Sequence, residues 1–315
     1  VITIENVRDF PASARGAYVT IGNFDGVHRG HGRLIAELRS QADAAGVPAV
    51  AVTFDPHPVA LLRPDKAPLP LVWQEREYEL LKAAGASEVA VFRTGPWLLE
   101  LSARAFFEQV ILGQFAARGL VEGPNFFFGR DRRGDVETLG RWCAEKGLAF
   151  DVAEPTFDAG RLISSSRIRE ALVDGDVAEA RRLLGRPYRI RGVVSHGAGR
   201  GAGIGVPTAN LEEVDTLIPG DGVYAATALV PGDDPGDEPR SWPAACNIGP
   251  NPTFGEQVRK VEAHLIDFKG DLYGRTVELD FLEHLRPTRT FAGLDDLLGQ
   301  IRLDVEAARR LAANP

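Results

Sequence analysis

The sequence predicts an α/β chain in two parts: an N-terminal domain on a doubly wound parallel sheet, then a small β-barrel with a C-terminal helix. Through the first half, short apolar runs alternate with amphipathic helical patterns. Past Gly185, strand-like runs dominate and Gly- and Pro-rich turns separate them. The final segment carries one apolar face, which supplies the closing helix.

The first-half strands are read at residues 18–21, 49–54, 88–92, 120–122 and 150–153, all rich in Val, Ile, Phe or Ala. Between them Leu34, Ile35, Leu38, Ala42 and Ala45 recur at helical spacing, as do Phe106, Phe107, Val110 and Ile111. Strands buried between two layers of helices form a mostly parallel sheet, and such sheets bind ligands at the carboxyl ends of their strands. Asp176 and Glu179 form a D-x-x-E capping signature that opens a helix over residues 177–184, and Gly185-Arg186-Pro187 ends it. The domains are therefore placed at residues 1–184 and 185–315. In the second, runs at 188–194, 223–230, 244–248, 260–268 and 276–282 read as barrel strands. Leu294, Leu297, Leu298, Ile301, Val305 and Ala308 share one face of the last helix. The acidic stretch 233–238 reads as a solvated turn.

Composition narrows the class. The 315 residues are 44% hydrophobic and 25% charged, the values of an ordinary globular protein. A net charge of −8 argues against a nucleic-acid binder, since phosphate backbones are held by basic surfaces. No apolar run reaches membrane-spanning length, so no membrane partner is expected. Cys143 and Cys246 follow no metal-ligand spacing and read as reduced, buried thiols, which predicts a cytoplasmic protein. A homo-oligomer is compatible with all of this.

The most informative segment is GNFDGVHRGH, residues 22–31. An apolar strand stops at Gly22 and feeds an amphipathic helix, and a helix N-terminus directs unpaired N–H groups at an anion. His28 and His31 add two imidazoles, so the turn suits a polyphosphate. TFDPHP (53–58) follows the second strand, and ISSSRIRE (163–170) combines a serine cap with Arg167. Adenylyl transfer needs a held triphosphate, a neutralised leaving pyrophosphate and an attacking phosphate in line; histidines, hydroxyls and an arginine are suited to it.

These three motifs, with VEGPNFFFG (121–129), resemble the Rossmann-like adenylyltransferase module of prokaryotic bifunctional riboflavin kinase/FAD synthetases. The wider nucleotidyltransferase superfamily shares only the H-x-G-H element, residues 28–31. The resemblance implies that His28 and His31 contact the ATP phosphates, that Asn125 lies near the reacting phosphates, and that Ser164, Ser165 and Arg167 complete the cradle. Gly22, Asn23, Phe24, Asp25 and Gly26 would wrap the nucleotide. Gly32 departs from the family, which commonly has a longer polar side chain there; glycine costs about 1 kcal/mol of helix propensity at such a position.

In the second domain GAGRGAGIG (197–205) is a bare Gly-rich loop, and by itself reads as a flexible turn. Its continuation VPTANL places Thr208 and Asn210 two residues apart, on one face of an extended segment. Two hard oxygen donors so placed suit Mg²⁺ held jointly with nucleotide phosphates. NIGPNPTF (247–254), VEAHL (261–265), LYGR (272–275) and LRP (285–287) resemble the riboflavin kinase module, through to the closing helix. The resemblance implies that Gly199, Gly201, Thr208, Asn210 and Asn251 bind the kinase's ATP, with Thr208 and Asn210 on Mg²⁺. It makes Glu262 the base for the ribityl hydroxyl and sets Arg286 near the flavin. An alcohol attacking a γ-phosphoryl group does gain from a carboxylate within reach of its proton.

The expected activity is thus twofold: riboflavin to FMN in the barrel, then FMN to FAD in the N-terminal domain, with ATP as co-substrate in both and pyrophosphate released in the second. Two rival readings fit less of the sequence. An H-x-G-H nucleotidyltransferase with another acceptor, such as a phosphopantetheine or pyridine-nucleotide adenylyltransferase, has no need of the barrel's PTAN and Glu262. A flavin-binding regulator without activity would not need His28, His31, Arg167, Asn210 and Glu262 intact.

Overall fold

A computed structural model describes residues 1–5, 14–196, 205–232, 237–250 and 259–313. The chain forms two compact units, Val1–Pro68 with Trp73–Ser164, and Leu69–Val72 with Ser165–Pro315.

The first unit is built on a six-stranded parallel sheet. In chain order its strands are β1 (Ile2–Ile4), β2 (Tyr18–Ile21), β3 (Ala49–Asp55), β4 (Glu88–Arg93), β5 (Gly119–Glu122) and, after a small hairpin of β6 (Phe127–Phe128) with β7 (Gly134–Asp135), β8 (Ala149–Val152). They lie in the order β1-β4-β3-β2-β5-β8, all neighbours parallel. Alternate residues of each strand enter opposite layers. Val19, Ile21, Val50, Val52 and Leu120 pack with Phe106, Phe107, Val110 and Ile111. Tyr18, Ala49, Ala51, Val89 and Val121 pack instead with Ile35, Leu38 and Ala42 of helix α1 (Arg29–Ala45). The expected doubly wound sheet is present, with the order reversing between β2 and β5. Residues Phe106–Gln114 form a wide π-type helix, closed by Phe115 N–H donating to the Val110 carbonyl at 3.0 Å. The unit ends with the hairpin β9 (Phe157–Asp158) and β10 (Arg161–Leu162).

The second unit contains a closed antiparallel barrel of β11 (Tyr188–Ser195), β12 (Ala209–Glu212), β13 (Gly222–Val230), β14 (Arg240–Gly249), β15 (Lys260–Leu265) and β16 (Thr276–Arg286). Its order is β11-β12-β15-β14-β13-β16, and β16 pairs back to β11. Buried residues alternate along the strands; Val261, Ala263 and Leu265 fill the interior from β15. The closing helix Leu294–Ala312 packs outside, where Val305, Ala308 and Leu311 meet Ala225, Ile266 and Leu282.

The units divide at Ser164/Ser165, whereas the sequence pattern puts the boundary at 184/185. The helices Ser165–Val173 and Val177–Leu184 belong to the second unit. Leu172 O, for instance, accepts from Gly220 N–H at 2.7 Å. Helical periodicity shows that a face is buried, and does not show against which core. The capping signature itself forms, with Asp176 Oδ1 accepting from Glu179 N–H at 2.8 Å. Leu69–Val72 also joins this unit: Arg169 Nε donates to Leu69 O at 3.1 Å and Leu217 N–H to Pro70 O at 2.9 Å.

The Tyr18 ring lies over Gly119, where a Cβ would fall 2.4 Å from a ring carbon. Gly119→Ala is therefore expected to destabilise the chain by about 1–3 kcal/mol, the usual range for overpacking a close contact. The measurement is the urea midpoint, which should fall without a change in slope.

Candidate active sites in the two units

In the first unit β2 ends at Ile21, and Gly22 N–H donates to Val52 O at 3.0 Å, keeping the chain on the sheet for one more residue. Phe24, 1% exposed, folds back under Gly22. Val27 N–H then closes a turn onto Phe24 O at 2.7 Å. Gly26 (φ 81°) and Val27 (φ 37°) both lie in the left-handed region. A β-branched residue there is strained, and strain of this kind collects at functional sites.

Helix α1 begins at once. His28 is its N-cap: Nδ1 accepts from His31 N–H at 3.2 Å. An accepting Nδ1 leaves the proton of the neutral ring on Nε2, which makes that nitrogen a donor. The His28 ring stacks on His31 with centroids 3.6 Å apart and planes 16° apart, and Phe24 meets His31 edge-on at 5.3 Å. This stack depends on Gly30, where a Cβ would sit 3.0 Å from the His28 ring. The Ile163 carbonyl borders the same glycine, so the start of ISSSRIRE reaches the head of α1. Gly32 faces open space.

TFDPHP continues β3. Asp55 pairs with Arg93, and His57 caps a short helix by accepting from Val59 N–H at 3.1 Å. Thr53 Oγ1 donates to Glu77 Oε1 at 2.6 Å. Burial, with Asp25 and Asp55 nearby, pushes the Glu77 carboxyl from 4.5 up to about 7, against the pull of the Thr53 hydrogen bond. Sequence reasoning missed Glu77, which looks like any charge on an amphipathic helix. Asn125 is exposed in the turn after β5, where Phe126 N–H meets Gly123 O at 3.1 Å. Asn23 is exposed and Asp25 half-buried. Ser164 closes the first unit; Ser165 and Arg167 open the second.

Arg167 is 6% exposed, and its Nε and Nη2 both donate to Glu179 Oε1, at 2.8 and 2.6 Å. The guanidinium read as a phosphate ligand is thus held by a carboxylate of the next helix. Glu179 had been visible in the sequence only as a capping residue.

In the barrel, register sets Asn210 beside Glu262 and leaves Arg286 three strands further round. Ser195 lies opposite Asn210, Asn210 opposite Glu262, Glu262 opposite Asn247, Asn247 opposite Val223, and Val223 opposite Arg286. Directly opposed residues on antiparallel strands have Cβ atoms about 4.5–5.5 Å apart. Asn210 and Glu262 are half-buried on the outer face, since Ala209, Leu211, Val261 and Ala263 are the buried neighbours. Thr208 is exposed just before β12. Burial and the Glu262 carboxylate push the Cys246 thiol up. Ser195 Oγ is buried without a hydrogen-bond partner among the described residues, beside Asn210. Gly199, Gly201 and Asn251 lie outside the described residues.

His264, two residues beyond Glu262 on the same face, borders a cleft of about 320 Å³ with Gly205, Val206, Leu298, Ile301, Arg302 and Val305. Its Nδ1 is 2.7 Å from Pro207 O, tying the start of PTAN to β15. Arg286 is engaged by the closing helix: Nη2 donates to Asp304 Oδ2 at 2.8 Å and Nε to Oδ1 at 3.2 Å. Gln300 Nε2 donates to the same carboxylate at 2.8 Å.

Residues 184–312 match the family described as riboflavin kinase, and residues 10–167 match that described as FAD synthetase. The bifunctional riboflavin kinase/FMN adenylyltransferase of Pseudomonas fluorescens is 38% identical over 300 residues, covering 95% of this chain and 94% of that protein. The chain belongs to the bifunctional riboflavin kinase/FMN adenylyltransferase family. Its Escherichia coli K12 relative of the same description is 35% identical, over 95% of this chain and 93% of that one. A solved chain described as a macrolide-efflux protein from Streptococcus pneumoniae shares the fold, with a TM-score of 0.86, 32% identity and 98% coverage of each chain. No helix among the described residues is long and apolar enough to cross a membrane. The C-terminal part therefore phosphorylates riboflavin to FMN with ATP, and the N-terminal part adenylylates FMN to FAD.

Two outcomes follow from this geometry. Glu77 holds its proton more tightly folded than unfolded, so its contribution to stability is full below pH 4.5 and lost as pH rises through about 7. Denaturant titrations across that window should show the decline, and Glu77→Gln should flatten it. For the Arg286–Asp304 pair, a double-mutant cycle with Ala at each position should give a coupling of at least about 1 kcal/mol.

Proposed function

We propose how the two sites divide the chemistry. In the barrel, Glu262 takes the proton from the ribityl primary hydroxyl as that oxygen attacks the γ-phosphorus of ATP, and ADP leaves. The observation that carries this reading is the register that sets Asn210 beside Glu262. Base and phosphate-side donor then meet the two reactants from adjacent strands.

Thr208 and Asn210 supply hard, neutral oxygens, and Ser195 Oγ, without a partner among the described residues, adds a third polar atom beside Asn210. No group of three or more His, Cys, Asp or Glu among the described residues forms a metal cage. That donor set fits Mg²⁺ completed by phosphates and water. Bound there, Mg²⁺ would neutralise charge on the transferring phosphoryl group. Gly199, Gly201 and Asn251 are assigned to the same nucleotide. The cleft beside His264, lined by Leu298, Ile301 and Val305, offers an apolar seat for the flavin ring next to the base. Arg286 acts at that end of the barrel by anchoring the closing helix through Asp304.

In the N-terminal unit the FMN phosphate attacks the α-phosphorus of a second ATP and pyrophosphate leaves. His28, a donor through Nε2, and His31 at the head of α1 hold the polyphosphate with the helix N–H groups. Residues 22–26 line the nucleotide, and Asn125 and Ser164 contribute polar contacts to the phosphates. Arg167, fixed by Glu179, sets positive charge at the start of its helix. Buried, unbridged Cys143 and Cys246 fit a cytoplasmic enzyme.

Incubation with riboflavin, ATP and Mg²⁺, followed by flavin separation, tests the assignment. Glu262→Ala should lower FMN formation by about 10²–10⁴-fold while FAD formation from supplied FMN persists. His31→Ala should do the reverse. Joint loss in either variant would overturn the two-site division.

A further inference from the structure

Glu122 ends β5 at the point where the sheet order reverses. It is 1% exposed, beside Thr20 at 0%. β2 stays paired to β3 through Ile21, and β5 to β8 through Glu122. Between themselves β2 and β5 pair only at Tyr18↔Gly119 and Val19↔Leu120. The two strands thus part over their last residues, at the carboxyl end where a parallel sheet receives its ligand.

That parting removes a ladder partner. N–H groups alternate sides along a strand, and Gly22 N–H points to Val52 O on β3; Ile21 N–H therefore faces β5. Glu122 Oε1 accepts it at 2.9 Å, and Thr20 Oγ1 donates towards Oε2 at 3.4 Å. An apolar side chain here would bury an orphaned N–H one residue before the GNFDGVHRGH segment. The carboxyl is a demanding choice for so dry a place: burial pushes it well above its ordinary range, and the two hydrogen bonds only partly offset this. A protonated carboxyl can still accept from Ile21 on one oxygen while the other faces the Thr20 hydroxyl.

We propose that Glu122 is a positioning residue of the adenylyl-transfer site. Its carboxyl takes the place of the missing rung, holds β2 and β5 apart at their ends, and fixes where residues 22–31 leave the sheet. The inference rests on reading residues 22–31 as the ATP segment.

The test is steady-state FMN adenylylation by the full chain with ATP varied, and riboflavin phosphorylation by the same preparation as internal control. Glu122→Leu should raise KM for ATP about tenfold or more, with kcat changed less than about threefold and the kinase unaffected. Glu122→Gln keeps an oxygen acceptor and an N–H towards Thr20, so it should stay within about threefold of the wild type on both parameters. If Glu122→Leu does not fold, Glu122→Asp is measured in its place. It keeps the carboxyl group but withdraws the acceptor by a methylene, and should raise KM about fivefold or more. An unchanged KM in whichever variant is measured overturns the proposal. So does a loss in Glu122→Gln equal to that in Glu122→Leu. His31→Ala, run in parallel, separates the two levels. If it leaves adenylylation untouched, the ATP reading of residues 22–31 falls and the proposal falls with it.

Discussion

Closure of the barrel is the constraint on which the kinase half depends. Because β16 pairs back to β11, no strand can slide without breaking a ladder on both sides. Side chains alternate with a period of two, so a one-residue slip of β15 would turn Glu262 inward and set Ala263 in its place. Interior packing of Val261, Ala263 and Leu265 opposes such a slip with every buried methyl group. The placement of one carboxylate beside Asn210 is in this sense a property of the whole barrel.

The N-terminal site uses a different device. Its central turn, residues 22–31, is assembled where one strand ends and one helix begins. His28 closes that junction, because its Nδ1 accepts from His31 N–H and satisfies the helix terminus. Gly30 permits the stack and the positive φ at Gly26 and Val27 turns the chain towards it. Local order of this kind can be read from a short motif, because its parts are neighbours in the chain.

That difference explains what was legible beforehand. The five runs placed in the first-half sheet all appear as strands: four are inner strands, which are apolar because both faces are buried, and β8 is an edge strand whose Asp151 and Val152 are exposed. β1 has no comparable signal: it is a three-residue strand that, among the described residues, pairs with β4 alone. β12 was legible as an extended segment, though Pro207 just before it and Asn210 within it mask a strand signal. Arg167 and Arg286 were visible as charges, but their carboxylate partners Glu179 and Asp304 lie 12 and 18 residues further along. Glu77 and Glu122 carry no local signature, since packing alone makes them unusual. Neighbour-built features were readable; those built by the meeting of distant segments were not.

Leu69–Val72 has a further implication. This four-residue strap interrupts the first unit in sequence yet belongs to the second, through Leu69 O with Arg169 and Pro70 O with Leu217. The two catalytic halves are consequently interlaced along the polypeptide, and no single scissile point divides them. A fragment starting at residue 185 would omit both helices between 165 and 184, and one starting at 165 would still lack the strap. A second unit cut out as one continuous segment would leave behind the Leu69 and Pro70 carbonyls that Arg169 and Leu217 use.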